Sequence, residues 1–245
     1  MVAMSRTQSV GSVRPRAEDA RAVRTWLWTM AGLVFAMVLV GGATRLTESG
    51  LSITEWKPVE GALPPLSDAQ WADAFAKYRA IPQYAAMNAG MTLAQYKFIF
   101  LWEWSHRLLA RLVGLAFLAP LAYFALVRAL PRGLGPRLAL ATGLLALEPV
   151  VGWWMVASGL ETRVEVSQYR LATHLTIAAG ILAAFVFAAL KTLPARELPA
   201  KGAARGARVL LGLVLLQIAA GALVAGLRAG KIYETWPLME GGLAP

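Results

Sequence analysis

Five apolar blocks, separated by charged and turn-forming stretches, dominate the chain. They run from about Trp26 to Ala43, Phe98 to Val127, Leu138 to Ala157, Tyr169 to Leu190 and Val209 to Leu227. A helix needs about 20 mostly apolar residues to cross the hydrocarbon of a bilayer. Each block approaches or exceeds that length, and the second is long enough to tilt or to project beyond it. An open sheet would leave backbone groups unpaired in lipid, so the blocks are predicted to be helices. The expected fold class is all-α, a polytopic helical membrane bundle.

The polar stretches orient the bundle. Arg6, Arg14, Arg16, Arg21 and Arg24 lie before the first block. Arg128, Arg132 and Arg137 lie between the second and third. Lys191, Arg196, Lys201, Arg205 and Arg208 lie between the fourth and fifth. Alternating spans put these three segments on one side, which the positive-inside rule makes cytoplasmic. The other side mixes its charge, with Glu48, Glu55, Glu60, Asp68 and Asp73. The net charge of +10 therefore reads as topology and not as nucleic-acid binding. The expected layout is a cytoplasmic basic arm (1–24), a four-helix unit (25–190) with a long outer loop (46–97), a cytoplasmic loop (191–208), and a fifth span with an outer tail (209–245). Such a chain belongs in a plasma membrane, in contact with lipid.

Within the outer loop, Pro64 and Pro65 precede Ser67, a candidate helix N-cap. Trp71, Phe75 and Tyr78 follow at helical spacing. Two readings fit this amphipathic stretch: a lid on the membrane surface, or a solvated loop helix.

The end of the fifth span echoes the end of the first at an offset of 180 residues. Gly41 matches Gly221, Gly50 matches Gly230, Trp56 matches Trp236, Glu60 and Gly61 match Glu240 and Gly241, Leu63 matches Leu243, and Pro65 matches Pro245. The pattern reads as a four-helix unit followed by the first helix of a second, parallel copy. Chance matching among glycine-rich helix ends is the plainer alternative.

Candidate chemistry is narrowly bounded. The chain has no cysteine and two histidines, which removes disulfides, thiolate ligation and cysteine-based metal clusters. His106 enters early in the second span and His174 early in the fourth, and both spans run inward. Counted from the block starts, their depths differ by about 5 Å at 1.5 Å per residue. Two imidazoles at one level in a bundle suit axial ligation of a haem. Separate hydrogen bonds to neighbouring helices are the alternative. Glu103 shares the face of His106 one turn outward. It suits a proton acceptor beside a haem edge, or an interfacial partner of Arg107 or Lys97. Arg45 and Arg170, at outer helix ends, suit haem propionates or ordinary snorkelling. Trp102, Trp104, Trp153 and Trp154 fit an aromatic belt, with packing on a porphyrin the sharper reading for Trp104.

Several runs of residues bear a resemblance to the haem A synthase family. They are Gly41–Ser52, Glu55–Pro58, Tyr96–Phe100, Glu103–Arg107, Gly152–Val156 with Gly159–Leu160, Tyr169–Leu175 and Thr235–Met239. Together they span nearly the whole chain after the arm. The absence of cysteine matches the branch without an outer-loop cysteine pair. The resemblance implies oxidation of the C8 methyl of haem O to a formyl group, giving haem A, with the oxygen drawn from water. It implies His106 and His174 as iron ligands and Glu103 as the catalytic carboxylate; Arg45, Arg107, Arg170 and Trp104 stand beside these as candidate propionate or pocket residues. It also implies eight spans in two halves, the second holding a haem b. Haem O synthase and cytochrome oxidase assembly factors are the implied partners, and a homo-oligomer is an open arrangement.

The sequence departs from that pattern in three places. No second-half histidines are present, so haem b ligands are absent, the chain reads as truncated, and weak or no turnover is expected. Glu148 stands in the third span where glutamine is expected, and either extends a proton path or marks drift. Glu234 stands where asparagine is expected. A b-type electron-transfer protein without hydroxylation, or a non-functional product of a truncated gene, are the competing readings.

Overall fold

The computed structural model describes residues 17–193, 201–232, 235, 238, 241 and 242. Arg6, Arg14, Arg16, Arg196, Glu234 and several repeat partners after Ile232 lie outside them. Among the described residues there are seven α-helices: α1 (Ala17–Leu46), α2 (Asp68–Arg79), α3 (Pro82–Met87), α4 (Leu93–Leu126), α5 (Gly135–Ala157), α6 (Gln168–Leu190) and α7 (Lys201–Gly226). Five of them, α1 and α4 to α7, are long and apolar enough to cross a membrane.

These helices follow the apolar blocks but outrun them at their polar ends. The largest extension that bears on the site is at α4, which begins at Leu93 and not near Phe98. Thr92 caps it: its hydroxyl accepts from the Gln95 backbone N–H, and the Gln95 side chain returns to the Thr92 N–H. This reciprocal box satisfies two otherwise orphaned donors. The extra turn projects outward from the apolar block. Helix starts therefore do not measure membrane depth, and the depth match argued for His106 and His174 from block starts has no direct counterpart in the helix boundaries.

The spanning helices gather around α6. α1 lies between α4 and α6, α5 packs on the other side of α6, and α7 also packs on α6. α4 is not among the close neighbours of α5 or α6; side chains bridge the space instead, with Phe117 on Phe185 at 5.3 Å between ring centroids. At the basic end the core is dense. Val23, Leu27, Met30 and Val34 form one buried stripe of α1, against Val113 and Phe117 of α4, Leu138 and Ala141 of α5, and Ile181 and Phe185 of α6. Pro120 has no N–H for the Ala116 carbonyl, its partner one turn back. The indole N–H of Trp26 supplies the missing donor at 2.9 Å.

The outer loop is folded. Ser67 caps α2 in a box with Gln70, and α2 rests on the projecting turn of α4. Trp71 packs edge-on to Phe100 at 5.0 Å, and Phe75 and Tyr78 stack on Tyr96 at 4.9 and 5.3 Å. Tyr78 is fully buried, and burial pushes its phenol above the ordinary value. So α2 seats its aromatic face on α4. The segment that reaches across to α5 is the strap of residues 52–62, whose Trp56 lies 6.3 Å from Trp153.

The 180-residue echo has a structural expression. α1 ends at Leu46 and α7 at Gly226. Glu48 and Arg228 both adopt left-handed backbone, at φ 54° and 51°, and each donates its N–H to the carbonyl three residues back at 3.2 Å. Contacts also join corresponding positions. Arg45 reaches the Ala225 carbonyl at 3.0 Å, and Arg228 reaches Glu48 at 2.8 Å. Equivalent positions touch in this way when two units face one another across a local two-fold axis.

Candidate haem site

Two imidazoles, each set against a glycine of a neighbouring helix, define the candidate site. His106 projects from α4 onto α1, where a Cβ on Gly41 would lie 3.2 Å from its Nε2. His174 projects from α6 onto α5, where a Cβ on Gly152 would lie 3.1 Å from its Cε1. Both distances are tighter than ordinary carbon contacts, so a side chain at either position would crowd a ring. Glycine is what allows the two rings to lie against backbone. His106 makes no hydrogen bond to another described residue.

The Nδ1 of His174 is buried, and its nearest ionisable neighbour is Glu148, whose Oε1 lies 3.2 Å away. Both Nδ1 and the second carboxyl oxygen, Oε2, lack an aligned hydrogen-bond partner. The contact is therefore close in distance but not oriented as a finished hydrogen bond. Glu148 and Gly152 are four residues apart, on one face of α5.

Glu103 is almost fully buried and heavily engaged. Its Oε2 accepts from Ser52 Oγ at 2.8 Å and from the Ile53 N–H at 2.7 Å, and its Oε1 accepts from Arg107 Nη2 at 2.5 Å. Arg107 also donates to the carbonyls of Ile53 at 2.9 Å and Glu55 at 3.0 Å. One turn further in, Arg111 donates to the carbonyls of Pro58 and Lys57 at 2.8 and 3.0 Å. Glu103, Arg107 and Arg111 thus form a ladder at successive turns of α4 that pins the strap beside the His106 face. The strap and Arg111 are features that sequence reasoning missed; the partners are backbone carbonyls, which leave no signature in composition.

The remaining candidates have partners within the chain. Arg45 pairs with Glu165 at 2.8 Å. Glu165 also pairs with Arg228, which pairs with Glu48 at 2.8 Å, so four charges alternate where α1, α7 and the α5–α6 loop meet. Arg170 donates to the Trp154 carbonyl at 2.6 Å and stacks on the Trp154 ring at 4.6 Å. Trp104 packs against the outer aromatic cluster, and its buried indole N–H has no partner.

With this geometry in view, comparison with known proteins is decisive about ancestry. Residues 24–245 match the family model described as cytochrome oxidase assembly protein. The chain belongs to that family. Among its relatives, a protein of Rhodopseudomonas palustris (strain BisB18) named Heme A synthase is 58% identical over 94% of this chain. Proteins of the same name from Azorhizobium caulinodans and Bradyrhizobium sp. (strain ORS 278) are 58% and 55% identical over 94% of it. The chain spans 64% of the length of the Rhodopseudomonas and Bradyrhizobium proteins and 66% of the Azorhizobium protein. No solved structure matches it. Family membership and five apolar helices make the chain an integral, multi-pass membrane protein.

Proposed function

We propose that this chain carries the haem O site of a haem A synthase, with His106 and His174 as the axial ligands of the substrate iron. The observation that carries the reading is the pairing of each imidazole with a glycine of an adjacent helix. The two rings stand on α4 and α6, which are not close neighbours; a flat ligand held between them requires His106 to turn its Nε2 away from Gly41. The residues fit such a ligand in a second respect: the buried indole N–H of Trp104 is an unsatisfied donor, which a propionate oxygen would satisfy. Relatives named Heme A synthase, at 55–58% identity, support the substrate assignment.

In the proposed reaction a porphyrin methyl becomes a formyl group in two successive two-electron oxidations. Water supplies the oxygen, and four protons and four electrons leave. Glu103, one helical turn from His106, is the residue placed to receive protons. Its two oxygens are occupied by three donors, so it is also held in fixed geometry by the strap. Preorganisation of this kind spares reorganisation during reaction. Arg107 positions Glu103 and ties it to Ile53 and Glu55. Arg45, held by Glu165, and Arg170, held on Trp154, line the outer rim from which propionates would be met. In this reading the basic segments face the cytoplasm, and the histidines lie toward the outer face of a bacterial inner membrane.

The test is expression in cells that make haem O but lack their own haem A synthase, followed by extraction of the haem that copurifies. The proposal expects haem O or its oxidised products, lost in H106A, and haem O without oxidised products in E103Q. Protein carrying only haem b in such cells would contradict the substrate assignment.

A further inference from the structure

The contact between Glu148 and His174 points to a role for Glu148 that the proposed reaction does not itself require. A histidine that binds iron through Nε2 carries its proton on Nδ1. A buried N–H without an acceptor is costly, and histidine ligands commonly give that proton to a carboxylate, a backbone carbonyl or water. In this protein the Cε1 corner of His174 lies on α5, with Nδ1 nearer the Gly152 position than Nε2, at 3.6 against 3.9 Å. Nδ1 is buried and has no other partner. The one acidic group beside it is Glu148, 3.2 Å away, and that carboxyl group has its own unsatisfied buried oxygen. Among the described residues neither group has an aligned partner, and they sit on two helices that pack directly.

We infer that Glu148 is the positioning residue for the His174 ligand: it accepts the Nδ1 proton, fixes the tautomer that presents Nε2, and orients the ring against Gly152. The inference rests on the haem reading above. Its chemical consequence is specific. A ring that donates to an acceptor is a stronger electron donor to iron and favours the ferric state. Glutamine keeps an acceptor oxygen at this place but a weaker one; leucine removes it.

The test compares wild-type, Glu148→Gln and Glu148→Leu proteins, purified with bound haem, by redox titration and by low-temperature electron paramagnetic resonance. The wild-type protein is expected to show a low-spin, bis-imidazole signal. In E148Q the same signal is expected with a raised midpoint potential. In E148L a further rise is expected, with part of the signal high-spin and haem retention lowered roughly 10-fold. Rescue of ligation by glutamine but not leucine is the signature that mere packing would not give. Should E148L fail to accumulate, the potential of E148Q decides alone. Wild-type ligation with potentials unchanged in both variants overturns the inference and leaves the haem reading standing. A wild-type protein that takes up no haem overturns both.

Discussion

Arg107 donates to Glu103 at 2.5 Å, one turn along the same helix, while its other contacts hold the backbone of Ile53 and Glu55. One guanidinium therefore fixes both the carboxylate and the strap that covers it. Removing it leaves a nearly buried carboxylate without its charge partner. R107A is expected to lower stability by about 3 kcal/mol, the cost of orphaning one member of a largely buried pair. R107K keeps the charge but loses the fork, and should recover only part of that loss. Thermal unfolding in detergent measures the difference, and equal stability of all three proteins would show that the pair contributes nothing.

Adjacent glycines offer an internally controlled test of the cradle. A Cβ at Gly41 meets His106 Nε2 at 3.2 Å, whereas a Cβ at Gly42 meets nothing within 4 Å. G41A should alter the spectrum of the bound haem or reduce its retention, because His106 must shift. G42A should leave both unchanged. The reverse ranking, read by absorption of purified protein, would contradict the placement of His106.

The bond between Trp26 and the Ala116 carbonyl exists because Pro120 cannot make it. W26F should cost about 1 kcal/mol by leaving a partly buried acceptor unpaired. In a P120A background the restored helical N–H takes over, and W26F should cost less. A double-mutant cycle on unfolding midpoints reads this coupling; strict additivity would refute it.

The charge cluster of Arg45, Glu165, Arg228 and Glu48 fastens α7 to the first unit. Its members are partly exposed, so each pair alone is worth under about 1 kcal/mol. R228A takes a partner from both acids, leaving Glu165 with Arg45, and should increase hydrogen exchange at the C-terminal end of α7 without unfolding α1, α4, α5 or α6. Uniform protection across the variant would show that α7 is held by apolar packing alone.

Much of this architecture is legible in the sequence, and the reason is locality. Hydropathy marks each spanning helix because lipid contact is decided residue by residue, and Ser67 announces α2 because its cap partner lies three residues away. The start of α4 is obscured because Tyr96 and Lys97 project beyond the apolar block, although Thr92 and Gln95 carry the capping signal. His106, His174 and Glu103 stand out by chemical type alone. The strap does not, since its bonds run from Arg107 and Arg111 to carbonyls that any residue would supply. Nor do the partners of Arg45 and Arg170, which depend on contacts made only after folding. Gly41 and Gly152 are visible as members of motifs, but their reason, a ring pressed on backbone, appears only in three dimensions.

The central claim is that His106 and His174 ligate one iron. Electron paramagnetic resonance of the ferric, haem-loaded protein tests it most directly. The account predicts a low-spin bis-imidazole spectrum that becomes high-spin in both H106A and H174A. A spectrum unchanged by either substitution would contradict it.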